Sequence, residues 1–276
     1  MPSSVKLDLG ENRVIRASVF HVNTEARGTL IISHGFKGFK DWGFFPYAAE
    51  QLSEFLDVIS FNFSHNGVGD DLQQFTELEK FAQNTYSLEV EDLAAVVRAV
   101  KSKAIGDVSV HGNPIFLLGH SKGAGTSLIY ALDHPGETAG VISWNGIADV
   151  NIFSAENVEE MRSRGRSYTL NGRTKQQMPL DRVILDDIAQ NRERFDLLRR
   201  IGTIDVPVAL IQGTEDHDRL RKGSAKLLAA NPSIRYVAVE GGNHTFNAVH
   251  PFAGTTESLD QAIAETKRFI LTVLDK

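Results

Sequence analysis

The sequence contains no cysteine in 276 residues. That excludes disulfide bridges, thiolate catalysis and cysteine-held metal, and it leaves the redox compartment open. Long hydrophobic runs are missing too. The longest, such as Pro207–Ile211, fall far short of a bilayer's thickness. The opening MPSSVKLDLGENRVIR lacks the apolar stretch of a secretory leader, so a cytoplasmic location is the default expectation. Positive charge is in deficit, with 29 Lys and Arg against 35 Asp and Glu and a formal charge of −6. With no basic stripe, neither nucleic acid nor membrane insertion is expected, and the oligomeric state is left open.

What is present is an ordinary globular composition, 42% hydrophobic and 23% charged, at a length that suits one large α/β domain. Val14–Val22 and Thr29–Ser33 read as opening strands, and Tyr47–Phe55 as a helix with Pro46 in its first turn. Val58–Phe63 is β-rich and leads into a polar loop, Ser64–Asp71. Leu93, Val96, Val97 and Val100 mark one face of a helix starting near Ser87, with Glu89, Glu91 and Asp92 suited to its positive end. Further strands are expected at Ile115–Leu118, Val141–Trp144, Val206–Ile211 and Ile234–Val239. Helices are expected over Ala124–Leu132, Leu220–Ala230 and the segment carrying Leu259, Ile263, Ile270 and Leu274. This alternation predicts a mostly parallel sheet covered on both faces, without internal repeats.

Residues 149–203 break the rhythm between a core of 1–148 and 204–276. Asn171-Gly172 predicts a type I′ hairpin between Arg166–Leu170 and Arg173–Gln177, with helical stretches at Asp181–Ile188 and Asn191–Ile201. The segment reads as a cap packed over the C-terminal edge of the sheet, with a solvated appendage as the alternative.

The decisive motif is Gly119-His120-Ser121-Lys122-Gly123, a G-x-S-x-G between a buried strand and a helix. Glycines on both sides allow a sharp turn that lifts the serine hydroxyl off the strand end. A serine N-cap in a glycine-rich turn would explain the junction but none of the other components. Serine is a poor nucleophile without a base, and His244, in Glu240-Gly-Gly-Asn-His-Thr-Phe246, is the leading candidate over His120, His65 and His217. Asp216, just beyond the Val208 strand, is the preferred orienting acid, with Asp218 as its rival and Glu215 weaker. The backbone N–H groups of Phe36 and Lys122 are the expected oxyanion donors. Phe39, Trp42, His65 and Trp144 are candidate pocket residues, although the aromatic residues near Phe36 are at least as readily explained as packing. The Lys122 side chain is open to two readings, attraction of an anionic substrate group or plain solvation.

The order Ser121, Asp216, His244 and the motifs His34-Gly35-Phe36-Lys37-Gly38, Gly213-Thr214-Glu215-Asp216 and Gly242-Asn243-His244 carry a family resemblance. The chain resembles bacterial serine hydrolases of the α/β-hydrolase superfamily, near feruloyl- or cinnamoyl-esterase-like, dienelactone-hydrolase-like and serine-aminopeptidase-like groups. The resemblance implies an α/β-hydrolase fold, an eight-stranded, mostly parallel sheet with a cap inserted after the strand ending near Trp144. It also implies hydrolysis through a covalent acyl-enzyme without a cofactor. The leading expectation is a carboxylic-ester hydrolase acting on a small-molecule acyl substrate. A serine peptidase or amidase, an acyltransferase and a non-catalytic binding protein are the alternatives.

Overall fold

The computed structural model describes residues 1–22 and 25–276. Twelve strands and nine α-helices are present among them. The strands are β1 (Ser3–Asp8), β2 (Val14–Phe20), β3 (Thr29–Ser33), β4 (Asp57–Asn62), β5 (Ala104–Ile105), β6 (Val108–Ser109), β7 (Ile115–His120), β8 (Gly140–Trp144), β9 (Arg166–Leu170), β10 (Gln177–Asp181), β11 (Val208–Gly213) and β12 (Arg235–Val239). The helices are α1 (Phe45–Leu52), α2 (Leu78–Ala82), α3 (Tyr86–Lys101), α4 (Lys122–Asp133), α5 (Ala155–Arg164), α6 (Val183–Gln190), α7 (Leu197–Arg200), α8 (Asp218–Ala230) and α9 (Glu257–Leu274).

Eight strands form one sheet in the order β1-β2-β4-β3-β7-β8-β11-β12. From β4 to β12 every pairing is parallel, and only β2 runs against its neighbours. The central strands β3, β4 and β7 are buried at every position, which is why they read as continuous apolar runs rather than alternating ones. Two apolar layers cover the faces. Leu93, Val96 and Val97 of α3 with Leu128 and Ile129 of α4 fill one, and Ala48 and Leu52 of α1 with Leu259, Ile263 and Ile270 of α9 fill the other. This is the sheet that the alternation of elements and the resemblance predict. β1 was not anticipated, because its burial is confined to Val5 on an edge strand.

The insertion departs from expectation in register. β9 lies where predicted, but its partner is Gln177–Asp181, with Gln177 opposite Leu170, so the connection spans six residues rather than two. Asn171 causes this: its Oδ1 accepts the Arg173 and Thr174 amides at 3.0 and 3.2 Å and opens a wider turn. The shift also gives β10 the apolar Met178 and Leu180, which Arg173–Gln177 cannot supply. Asp181 consequently ends a strand, and α6 starts only at Val183. The long helix expected over Asn191–Ile201 shrinks to α7 and a 3-10 turn at Ile201–Thr203.

Part of the insertion packs against the core. Met161, Met178, Leu180 and Ile184 form an apolar cluster with Phe39, Val68, Phe75 and Phe81 of the core. Arg166 bridges Glu79 and Asp181, Ser87 donates to Asp187, and Lys37 Nζ donates to the Leu170 carbonyl.

Candidate active site

Ser121 stands between β7 and α4 with φ 56° and ψ −118°, a left-handed conformation that costs a non-glycine residue on the order of 1–3 kcal/mol. The surroundings dictate the glycines. A Cβ on Gly119 would lie 2.3 Å from the Gly123 carbonyl oxygen, and one on Gly123 would lie 2.4 Å from the Ser33 and His34 oxygens. The Ser121 amide is anchored on the Trp144 carbonyl at 2.9 Å. Its hydroxyl makes no hydrogen bond among the described residues and opens on a cavity of about 1050 Å³ that His244 also lines.

His244 Nδ1 lies 2.9 Å from Asp216 Oδ1. The rival Asp218 is the first residue of α8 and pairs with Arg221 and Lys222 in the open. Asp216 is buried and accepts two further bonds, from Gln212 Nε2 at 2.8 Å and the His217 amide at 2.7 Å. Burial pushes its carboxyl upward, but the hydrogen bond and charge of His244, with those two donors, outweigh burial and hold it below the ordinary aspartate value.

A buried amide network ties the three loops together. Asn145, following β8 at φ 48°, donates to the carbonyls of Asn243 and His244 at 3.1 and 3.0 Å. Its Oδ1 accepts from Gln212 Nε2 and the Gly213 amide, and Ser224 donates to Gln212 Oε1. Sequence reasoning missed Asn145 and Gln212. The signal was there, since both are polar residues at or just past the C-terminal end of an otherwise apolar strand.

The His34–Phe36 turn is fixed by a neutral histidine. His34 is fully buried, and its Nδ1–H donates to the Gly35 carbonyl at 2.9 Å while Nε2 accepts the Phe63 amide at 3.4 Å. Burial holds its pKa down to about 4, so the ring keeps this tautomer near neutrality. The Phe36 and Lys122 amides donate to no other group among the described residues.

Lys122 is neither solvated nor free to meet a substrate. Its Nζ is buried, 2.7 Å from Glu89 and 4.5 Å above the centre of the Tyr86 ring. Glu89 also accepts from Asn84 and Thr126. The sequence placed Glu89 among the helix-end acids, yet it shares a face with Leu93, Val96 and Val100. An acid on an apolar stripe calls for a buried cation.

The other histidines have separate roles. His120 points its Nε2 at the His244 carbonyl, 2.8 Å away, and burial drives its pKa to about 3. His217 stands at the N-cap position of α8 without a side-chain capping bond, its ring centre 5.4 Å from that of His244, and it lines the cavity.

None of the four candidate pocket residues is on the cavity wall. Phe39 is core, edge-on to Phe75, and Trp42 stacks on His250. His65 contacts Ser64 Oγ, and Trp144 is buried with its indole N–H donating to Thr266. These aromatic residues pack between layers, the bland reading of such a cluster. The wall is built instead from Phe36 and Lys37, the Ile147–Val150 segment, α8, and Ile188, Phe195 and Leu198 of the insertion.

Residues 24–196 match the family described as serine aminopeptidase, S33. Monoglyceride lipase of Rattus norvegicus is 23% identical over 234 residues, covering 75% of this chain and 71% of that protein. Among solved structures, Est1E from Butyrivibrio proteoclasticus with ferulic acid bound matches with a TM-score of 0.73 at 18% identity, over 99% of this chain and 100% of that one. A monoacylglycerol lipase from Paleococcus ferrophilus matches with a TM-score of 0.66 at 15% identity, over 93% and 98%. A dienelactone hydrolase from Anabaena variabilis gives 0.62 at 13% identity, over 99% and 97%. At such identities the structural likeness establishes a shared fold, not a substrate.

Proposed function

The chain belongs to the serine aminopeptidase S33 family of hydrolases, and we propose that it cleaves carboxylic esters of small-molecule acyl substrates with Ser121 as nucleophile. The observation that carries this reading is the strained Ser121 elbow opening on the same cavity as His244, whose ring is hydrogen-bonded to the buried Asp216.

In this mechanism His244 Nε2 takes the hydroxyl proton as Ser121 Oγ attacks the carbonyl carbon. Asp216 holds the Nδ1–H and stabilises the imidazolium that forms. The carbonyl oxygen becomes an oxyanion facing the Phe36 and Lys122 amides, each such donor being worth about 3 kcal/mol in the transition state. Collapse breaks the ester C–O bond, and the alcohol leaves with the proton from His244. Water, deprotonated by His244, then attacks the acyl-enzyme and releases the acid and Ser121. Residues 149–203 act as a cap that shapes the acyl site.

Ester cleavage is favoured over aminopeptidase action by the charges on the wall. A substrate's free ammonium group needs an available carboxylate. Of the two carboxylates there, Asp149 is paired with Arg219 and Asp196 caps α7. The test is turnover of short acyl esters against aminoacyl amides, with phosphonate labelling of wild type and Ser121→Ala. Ester turnover and labelling are expected, both lost on substitution. A strong preference for amides, or labelling that survives Ser121→Ala, would overturn the reading.

A further inference from the structure

The net charge of the chain is −6, yet the cavity at Ser121 is lined by cations. Lys37, Arg192, Arg219, Lys222 and Lys226 all contribute to the wall that carries Ser121 and His244. Only two carboxylates, Asp149 and Asp196, stand among them. Three of the five cations are engaged: Lys37 with the Leu170 carbonyl, Arg219 with Asp149 and Asn151, and Lys222 with Asp218. Arg192 and Lys226 have no ion-pair or hydrogen-bond partner among the described residues. Arg192 comes from the insertion and Lys226 from the last turns of α8, so separate segments bring them to one cavity.

The same cavity carries the apolar residues Ile147, Val150, Ile188, Phe195 and Leu220, and Arg192 and Lys226 themselves are exposed. A cleft lined mostly by one sign of charge raises the local concentration of an oppositely charged ligand. Resting on the ester-hydrolase reading above, we infer that this site selects esters bearing an anionic group, a carboxylate or phosphate, separated from the ester by an apolar stem. The stem lies along the apolar wall and the anion meets Arg192 and Lys226. A neutral ester of equal length leaves both cations unpaired.

The test compares 4-nitrophenyl hydrogen suberate with 4-nitrophenyl octanoate. These esters differ only in a terminal carboxylate against a methyl group. A second pair, 4-carboxyphenyl octanoate and phenyl octanoate, moves the charge to the alcohol side. Calorimetric titration into Ser121→Ala, which preserves the cavity and removes the hydroxyl, gives a Kd ratio for each pair. We expect the anionic member of at least one pair to bind about tenfold tighter at low ionic strength, with the ratio shrinking toward one at about 0.5 M salt. Adding Arg192→Gln and Lys226→Gln should erase most of the preference. Equal or weaker binding of both anionic members, or a preference that survives these substitutions, overturns the inference. Turnover of the same esters by unsubstituted protein reads the hydrolase assignment separately: failure to hydrolyse any of them removes that assignment, while the Kd ratios still decide this one.

Discussion

The two sides of the cavity are built on different principles. On the side of Ser121, His244 and the Phe36 turn, positions are set by backbone contacts too close for any side chain and by a buried network through Asn145 and Gln212. On the insertion side, Phe195 and Leu198 join the main core, Ile188 packs on the cluster around Met178 and Leu180, and Arg166 pairs with a largely exposed Glu79. The first side tolerates little variation in geometry. The two sides still meet, because Phe195 of the insertion packs on Tyr86, whose ring lies under Lys122.

The sharpest way to break that comparison is at the acid. Asp216→Asn should lower kcat by about 10⁴-fold, because the amide presents the wrong partner to His244 Nδ1–H. Asp218→Asn, at an exposed residue paired with Arg221 and Lys222, should change it by less than about twofold. Comparable losses at both would mean that the buried hydrogen bond is not what orients His244.

The next largest effect concerns what holds the elbow from behind. Glu89→Ala strands the Lys122 ammonium in the core and should cost about 3–5 kcal/mol of stability by urea unfolding. Glu89→Gln combined with Lys122→Met removes both charges and should recover most of it. A single-variant loss below about 1 kcal/mol would show that the ion pair does not anchor this side.

These two tests mark the limits of what the sequence could tell. Gly119, Gly123 and the positions of Ser121 and His244 were legible because the turn geometry admits few residue types. The eight core strands were mostly legible for a related reason, since full burial on both faces forces apolar runs. Asp216 was preferred over Asp218, but Asp218 stayed a rival because the choice depends on Gln212 and on where α8 begins. The insertion was misread at Asn171, where a local side-chain turn competed with the two-residue hairpin and won. Phe39 and Trp144 looked like pocket residues because sequence cannot say which side of a layer an aromatic ring faces.

A milder test uses pH. Burial lowers His34 to about 4 and His120 to about 3 from an ordinary value of 6.5. Between pH 6.5 and about 4 the unfolded chain binds protons that the folded chain refuses, so stability falls as pH drops through that window. Each ring contributes a slope of up to about 1.4 kcal/mol per pH unit. Urea unfolding at pH 7 and pH 5 should show the loss, and His120→Asn should make it shallower. An unchanged slope in that variant would remove His120 from the buried support of this side.

The smallest effect tests the other wall. Ile188 is half-buried, belongs to α6 of the insertion and lines the cavity. Ile188→Ala removes apolar contact worth about 1 kcal/mol to a chain lying against it, which is roughly a fivefold rise in KM for an octanoyl ester. An acetyl ester is too short to gain from that wall, so its KM and kcat should move by less than about twofold. If both esters lost the same factor, chiefly in kcat, the insertion would be positioning the Ser121 side. The two walls would then be one mechanical unit, because a wall that only selects substrate cannot slow a substrate that never touches it.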